Sequence, residues 1–201
     1  MATQPRYFWD SDSRRYNSDR GKILKPEKVR EVLDGVVDKS SKTRLIELGK
    51  RLQSGSISIP EWYTRSIPLI KQAHLQAAAT AAGGMNNLTP SQRGYLGSRL
   101  RSEYAYFKQL ALDVEAGLKL DGKFLDRLGM YADAAIPTHE EMKRRLEIDA
   151  GTKEERNILG ASDHCSECVE ETGKGWVEIG SLKAVGSRKC LSKCRCRLEF
   201  R

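Results

Sequence analysis

Residues 164–197 read HCSECVEETGKGWVEIGSLKAVGSRKCLSKCRCR and hold all five cysteines of a 201-residue chain. Their spacing is C-x2-C (Cys165, Cys168), twenty-one residues, then C-x3-C-x-C (Cys190, Cys194, Cys196). A C-x2-C turn aims two thiolates at one point, and a second cysteine cluster about twenty residues on supplies the rest of a tetrahedron. Between the clusters, Trp176-Val177-Glu178-Ile179 and the run from Arg195 to Phe200 alternate apolar and polar residues. Glycines at 173, 175, 180 and 186 punctuate these runs, so the segment predicts short strands joined by turns. About 50 residues of such strand bury too little apolar surface to fold unaided, and a metal staple would supply the deficit.

Cys165 and Cys168 are the firm ligand pair, with Cys190, Cys194 and Cys196 competing for the other two places. Cys194 and Cys196, two apart on a strand, share a face, and His164 is an outside candidate. Structural Zn²⁺ is the leading expectation. Disulfides and an iron–sulfur cluster remain open, because thiolates alone do not identify the metal.

Upstream, the hydrophobic period becomes helical. Val29, Val32, Leu33, Val36 and Val37 follow Pro26; Leu45, Leu48 and Leu52 run to Gly55; Trp62, Ile67, Leu69, Ile70, Ala73 and Leu75 lead into an alanine tract that Gly83-Gly84 ends. Pro68 predicts a kink or break there. Thr89-Pro90-Ser91 opens a long helix closed by Gly117, and Asp121 to Ala135 reads as another. Thr138 and Glu141 have capping-box spacing, which starts a further helix after Ile136-Pro137. The expected fold class is therefore α+β. It comprises an N-terminal arm at 1–25, a helical region of several long helices at 26–150, and a small β-rich, zinc-stabilised module at 151–201.

The arm shows neither helical nor strand period. It interleaves Tyr7, Phe8 and Trp9 with Arg14 and Arg15, the composition of an interface anchor, and these five are the expected partner contacts. A terminal segment folded back on its own domain has the same composition.

Net charge is +8, from 35 Lys/Arg against 27 Asp/Glu. Residues 1–55 hold 13 basic against 8 acidic residues, so most of the excess is N-terminal. That surface tolerates nucleic acid without specifying it. No stretch is apolar enough to cross a bilayer, and the N-terminus shows no secretory or transit pattern. Neither a Gly-rich phosphate loop nor a G-x-S-x-G elbow occurs. His139-Glu140-Glu141 followed by Cys165 and Cys168 matches the outline of zinc deaminases, but no proline precedes Cys165 and three cysteines would go unexplained. A non-enzymatic protein is expected.

The run RNILGASDHCSECVEETGKGWVEIGSLKAVGSRKCLSKCRCRLEFR (156–201) resembles the C-terminal end of tailed-phage minor head proteins, the Mu F-type head morphogenesis family. The matching elements are Cys165/Cys168, the strand Gly175-Trp176-Val177-Glu178-Ile179-Gly180, and Cys194/Cys196. The helical approach from Met130 to Arg156 is similar too, so the likeness is specific over about residues 127–201. Where many relatives have a histidine just before the C-x-C, this chain has Cys190, one residue further away. The resemblance implies a virion component at the portal vertex or capsid, with portal and major capsid protein as partners. Roles in head assembly and in holding or releasing packaged DNA follow from it, with no membrane and no small-molecule substrate. The alternative is a zinc-ribbon nucleic-acid-binding regulator; a capsid decoration or neck-adaptor protein is a lesser one.

Overall fold

A computed structural model describes residues 7–10, 12–13, 15–18, 21–37, 41–160 and 163–201. Three short strands, β1 (Tyr7–Asp10), β2 (Arg15–Ser18) and β3 (Ile23–Leu24), precede six helices. These are α1 (Pro26–Val37), α2 (Thr43–Gln53), α3 (Ile59–Ala82), α4 (Pro90–Glu115), α5 (Gly122–Asp133) and α6 (Ala135–Asp149). The C-terminal part follows as β4 (Glu154–Ile158), α7 (Ser166–Gly173), β5 (Val177–Glu178) and β6 (Arg197–Phe200). The molecule is α+β, with the helices first.

Helix α3 is central because its alanines let neighbours approach. Ala73, Ala77, Ala78 and Ala81 are all fully buried. At one end of α3, Trp62 meets Phe107 of α4 and Phe124 of α5 at centroid distances of 4.9 and 5.7 Å. Tyr131 completes this core edge-on to Phe107. At the other end, Ala78, Ala81 and Ala82 pack with Leu88, Leu96, Leu100 and Met142. Gly49 admits α5 to α2, since a Cβ there would lie 2.3 Å from Leu128 Cδ1.

Local capping follows the sequence at the starts of α3, α4 and α5. Ser58 accepts from the Glu61 N–H, Thr89 and Gln92 form a reciprocal capping box, and Asp121 accepts from the N–H groups of Lys123 and Phe124. Of the kink or break expected at Pro68, the break is absent, since α3 runs through it. Two other expectations need correction. Thr138 and Glu141 form no capping box, because α6 starts three residues earlier. Thr138 instead turns its hydroxyl to the Ala134 carbonyl and His74 Nδ1, while Glu141 pairs with Arg144 and Arg145. The arm, read as lacking strand period, contains an antiparallel three-stranded sheet in the order β1-β2-β3.

The C-terminal sheet has the order β5-β4-β6, all antiparallel. Its attachment runs through polar side chains of α6. Glu140 Oε2 accepts the Leu198 N–H at 3.0 Å, and Lys143 Nζ donates to the Leu198 carbonyl at 2.9 Å. Arg144 Nε donates to Glu155 Oε2 at 2.8 Å, and Glu155 Oε1 accepts from the N–H groups of Gly180 and Leu182. Cys196 immediately precedes β6, so α6 and the cysteine cluster grip the same strand.

Candidate metal centre

Cys165 is the N-cap of α7, in extended conformation, so the helix carries Cys168 back beside it. The two Sγ atoms are 3.5 Å apart, and the Cys168 N–H donates to the Cys165 carbonyl. The opposite side is a tight turn in which the Lys193 N–H donates to the Cys190 carbonyl and the Cys194 N–H to that of Leu191. Leu191 holds φ at +47°, an uncommon left-handed conformation for a branched side chain. That turn brings Cys190 Sγ to 3.5 Å and Cys194 Sγ to 3.7 Å from Cys168 Sγ.

The structure thus gathers all five cysteines into two overlapping groups, Cys165/Cys168/Cys190 and Cys168/Cys194/Cys196, with sulfurs in each within 4.8 Å of one another. Cys168 is their common member. All five are free thiols, and the separations above are far from the ~2.05 Å of a disulfide bond. Edges of a tetrahedron of sulfurs about 2.3 Å from a central ion are about 3.8 Å long. Separations of 3.5 and 3.7 Å fit those edges, so the cluster can hold a metal ion. His164 belongs to neither group.

The electrostatics separate the thiols. Burial raises the Cys165 thiol, but the Cys168 N–H and the neighbouring thiols outweigh it and bring it down to about 7. A hydrogen bond from Cys196 is the main cause that lowers Cys194 to about 4, against burial. Burial pushes Cys168 up, against the hydrogen bond from Arg188, while burial and then competition from the neighbouring thiols push Cys190 up. Cys196, completely buried, is raised chiefly by the bond to Cys194.

A second layer, invisible to spacing arguments, supports Cys168. Arg188, only 1% exposed, directs Nη1 to Asn157 Oδ1 at 2.9 Å and to Cys168 Sγ at 3.8 Å. Its remaining nitrogens donate to the Lys183 carbonyl. Asn157 Nδ2 reaches the Cys168 carbonyl and Thr172 Oγ1. A buried guanidinium beside a thiolate cluster offsets part of its negative charge. The signal in the sequence was slight: an arginine two residues before Cys190, inside a Gly-Ser turn.

The remaining expected site residues lie elsewhere. Tyr7, Phe8 and Trp9 form β1, half-buried, and Arg15 is exposed on β2; Arg14 lies outside the described residues. Trp9 Nε1 donates to Glu147, and its ring meets Tyr16 edge-on at 5.0 Å. Phe8 covers Gly83, where a Cβ would stand 2.5 Å from its Cγ. Both aromatic rings therefore make contacts within the chain. His139 is buried between Glu140 and the Tyr16 hydroxyl, and neither it nor Glu141 joins the cysteine groups.

Among the described residues, no helix is long and apolar enough to cross a membrane. Comparison with known protein families, curated proteins and solved structures returns no match to this chain.

Proposed function

We propose that this chain is a non-enzymatic structural protein of a tailed-phage head, acting at the portal vertex or capsid, with a C-terminal module held by one structural Zn²⁺. The observation that carries the reading is the spacing C-x2-C, Gly-Trp strand, C-x-C at 165–196, whose cysteines converge on Cys168. In this reading Cys165, Cys168, Cys190 and Cys194 hold the ion, and Cys196 stands behind them as a thiol donor to Cys194. Zinc in a closed set of four thiolates serves as a structural tie. The chain's own residues do the rest. The turn at 190–194 is tied to α7, β6 is thereby fixed against β4, and Glu140 and Lys143 hold Leu198 onto the helical body. The outcome is one stiff unit from helices to C-terminus, suited to positioning neighbours in an assembly. The basic N-terminal third tolerates packaged DNA nearby without reading its sequence.

Quantitative mass spectrometry of purified particles, with the major capsid protein as reference, tests the role. A few copies per particle support a place at the unique vertex, and hundreds reassign the chain to the capsid lattice. Absence from particles overturns the virion role and favours the nucleic-acid-binding alternative.

A further inference from the structure

Helices α2 and α3 leave between them an open cleft of about 550 Å³, remote in sequence from the cysteines. That size lies within the range of sites that seat a small ligand or a few side chains. Its lining includes apolar Leu48, Pro68 and Leu69, of which Leu69 is buried, and Arg44, Arg51 and Arg65 with Glu47 as the one acidic group. Arg65 is held by Glu61 at 2.8 Å. Arg44 and Arg51 are exposed and have no ion-pair partner among the described residues. Pro68 adds a further feature: lacking an N–H, it leaves the carbonyl of Thr64, also in the cleft, without the usual helical donor.

We propose that this cleft docks an extended acidic segment of a partner protein, with two carboxylates about three residues apart and an apolar residue between them. Arg44 and Arg51 are seven residues apart on α2, hence about 10.5 Å along its axis. In the extended polyproline II conformation a chain has three residues per turn and rises about 3.1 Å per residue, so carboxylates at i and i+3 face the same side about 9.3 Å apart. The apolar residue between them meets Leu48 and Leu69, and a backbone N–H of the segment can donate to the Thr64 carbonyl. Nucleic acid fits this cleft less well. A duplex is a convex rod whose phosphates reach only the rim, and no aromatic ring lines the cleft to stack an unpaired base. The cleft is independent of the metal and of the virion role.

The test uses the full chain and a fluorescein-labelled peptide, Gly-Ser-Asp-Leu-Leu-Asp-Ser-Gly, followed by anisotropy and by ¹⁵N amide shifts. Saturable binding that perturbs amides of α2 and α3 is expected, weakened about tenfold or more by Arg44→Glu/Arg51→Glu and by Asn in place of both Asp. Both arginines are exposed, and circular dichroism checks that the variant keeps its helices. The shift map on the unaltered chain decides the matter if it does not. No saturation below about 1 mM, shifts elsewhere, or an unchanged affinity in a folded variant overturns the proposal. Displacement of the peptide from the same amides by a twelve-residue oligothymidylate also overturns it, and assigns the cleft to phosphate.

Discussion

Replacing Lys143 by methionine removes the cation on which three parts of the chain meet. Its ammonium donates to Leu198 of β6, lies 3.6 Å from Glu140 on its own helix, and faces the rings of Trp9 at 4.9 Å, Phe200 at 5.3 Å and Tyr16 at 5.7 Å. The residue is 2% exposed. Burial lowers its pKa, and Glu140 opposes that shift. Methionine fills similar volume, so the loss is electrostatic: Glu140, 3% exposed, keeps its bond to the Leu198 N–H but loses the Lys143 charge. Breaking a buried pair in this way costs about 3–5 kcal/mol. For a chain of this size each kcal/mol moves the melting temperature by roughly 2–4 °C, so the expected fall is roughly 6–20 °C. Lys143→Met/Glu140→Gln, which removes both charges of the pair, should recover more than ~1 kcal/mol of that loss. Thermal and urea unfolding followed by circular dichroism measure all three proteins. A single variant within about 1 kcal/mol of the parent, or strict additivity in the double variant, refutes the reasoning.

Cys168→Ser should unfold residues 165–200 to protease while the helical signal persists, because Cys168 belongs to both sulfur groups; Cys196→Ser should keep the metal. A Cys196→Ser protein that loses it would place Cys196 among the ligands. His74 is buried against Thr138, and burial, assisted by the Arg99 charge, lowers its pKa from 6.5 to about 3. Since the unfolded chain then binds the extra proton first, the associated stability is complete above pH 6.5 and falls as pH drops towards 3. The slope is about 1.4 kcal/mol per pH unit. His74→Gln should lose that slope between pH 6 and 4 in urea titrations, and parallel curves for parent and variant would contradict the assignment. Gly160→Ala places a Cβ 2.0 Å from the Arg195 carbonyl oxygen. It should loosen the C-terminal sheet by about 1–3 kcal/mol, read as faster amide exchange in β4 and β6.

The helices were legible because their apolar residues recur at helical steps and because Ser58, Thr89 and Asp121 cap as their side chains dictate. Convergence of the cysteines was legible from spacing. What escaped the sequence was polar and long-range. β4 reads Glu-Glu-Arg-Asn-Ile, an unpromising strand, yet it is the middle of its sheet with Glu155 and Asn157 buried. Both are compensated by partners far along the chain, Arg144 for one and Arg188 for the other. Thr138 similarly reads as a helix cap until His74, sixty-four residues earlier, takes its hydroxyl. β1 and β2 are four residues each, too short for an alternation to register, and Trp9 finds its partner in Glu147. In α7, eight residues that follow Cys165, hold Cys168 and end at Gly173, turn signals masked a helix.

The central claim is that the cysteine cluster is a closed zinc site, and zinc-edge X-ray absorption with metal analysis of the purified full chain tests it most directly. The account predicts about one zinc per chain surrounded by four sulfurs at about 2.3 Å. A folded chain without metal, or with its cysteines joined as disulfides, would contradict it.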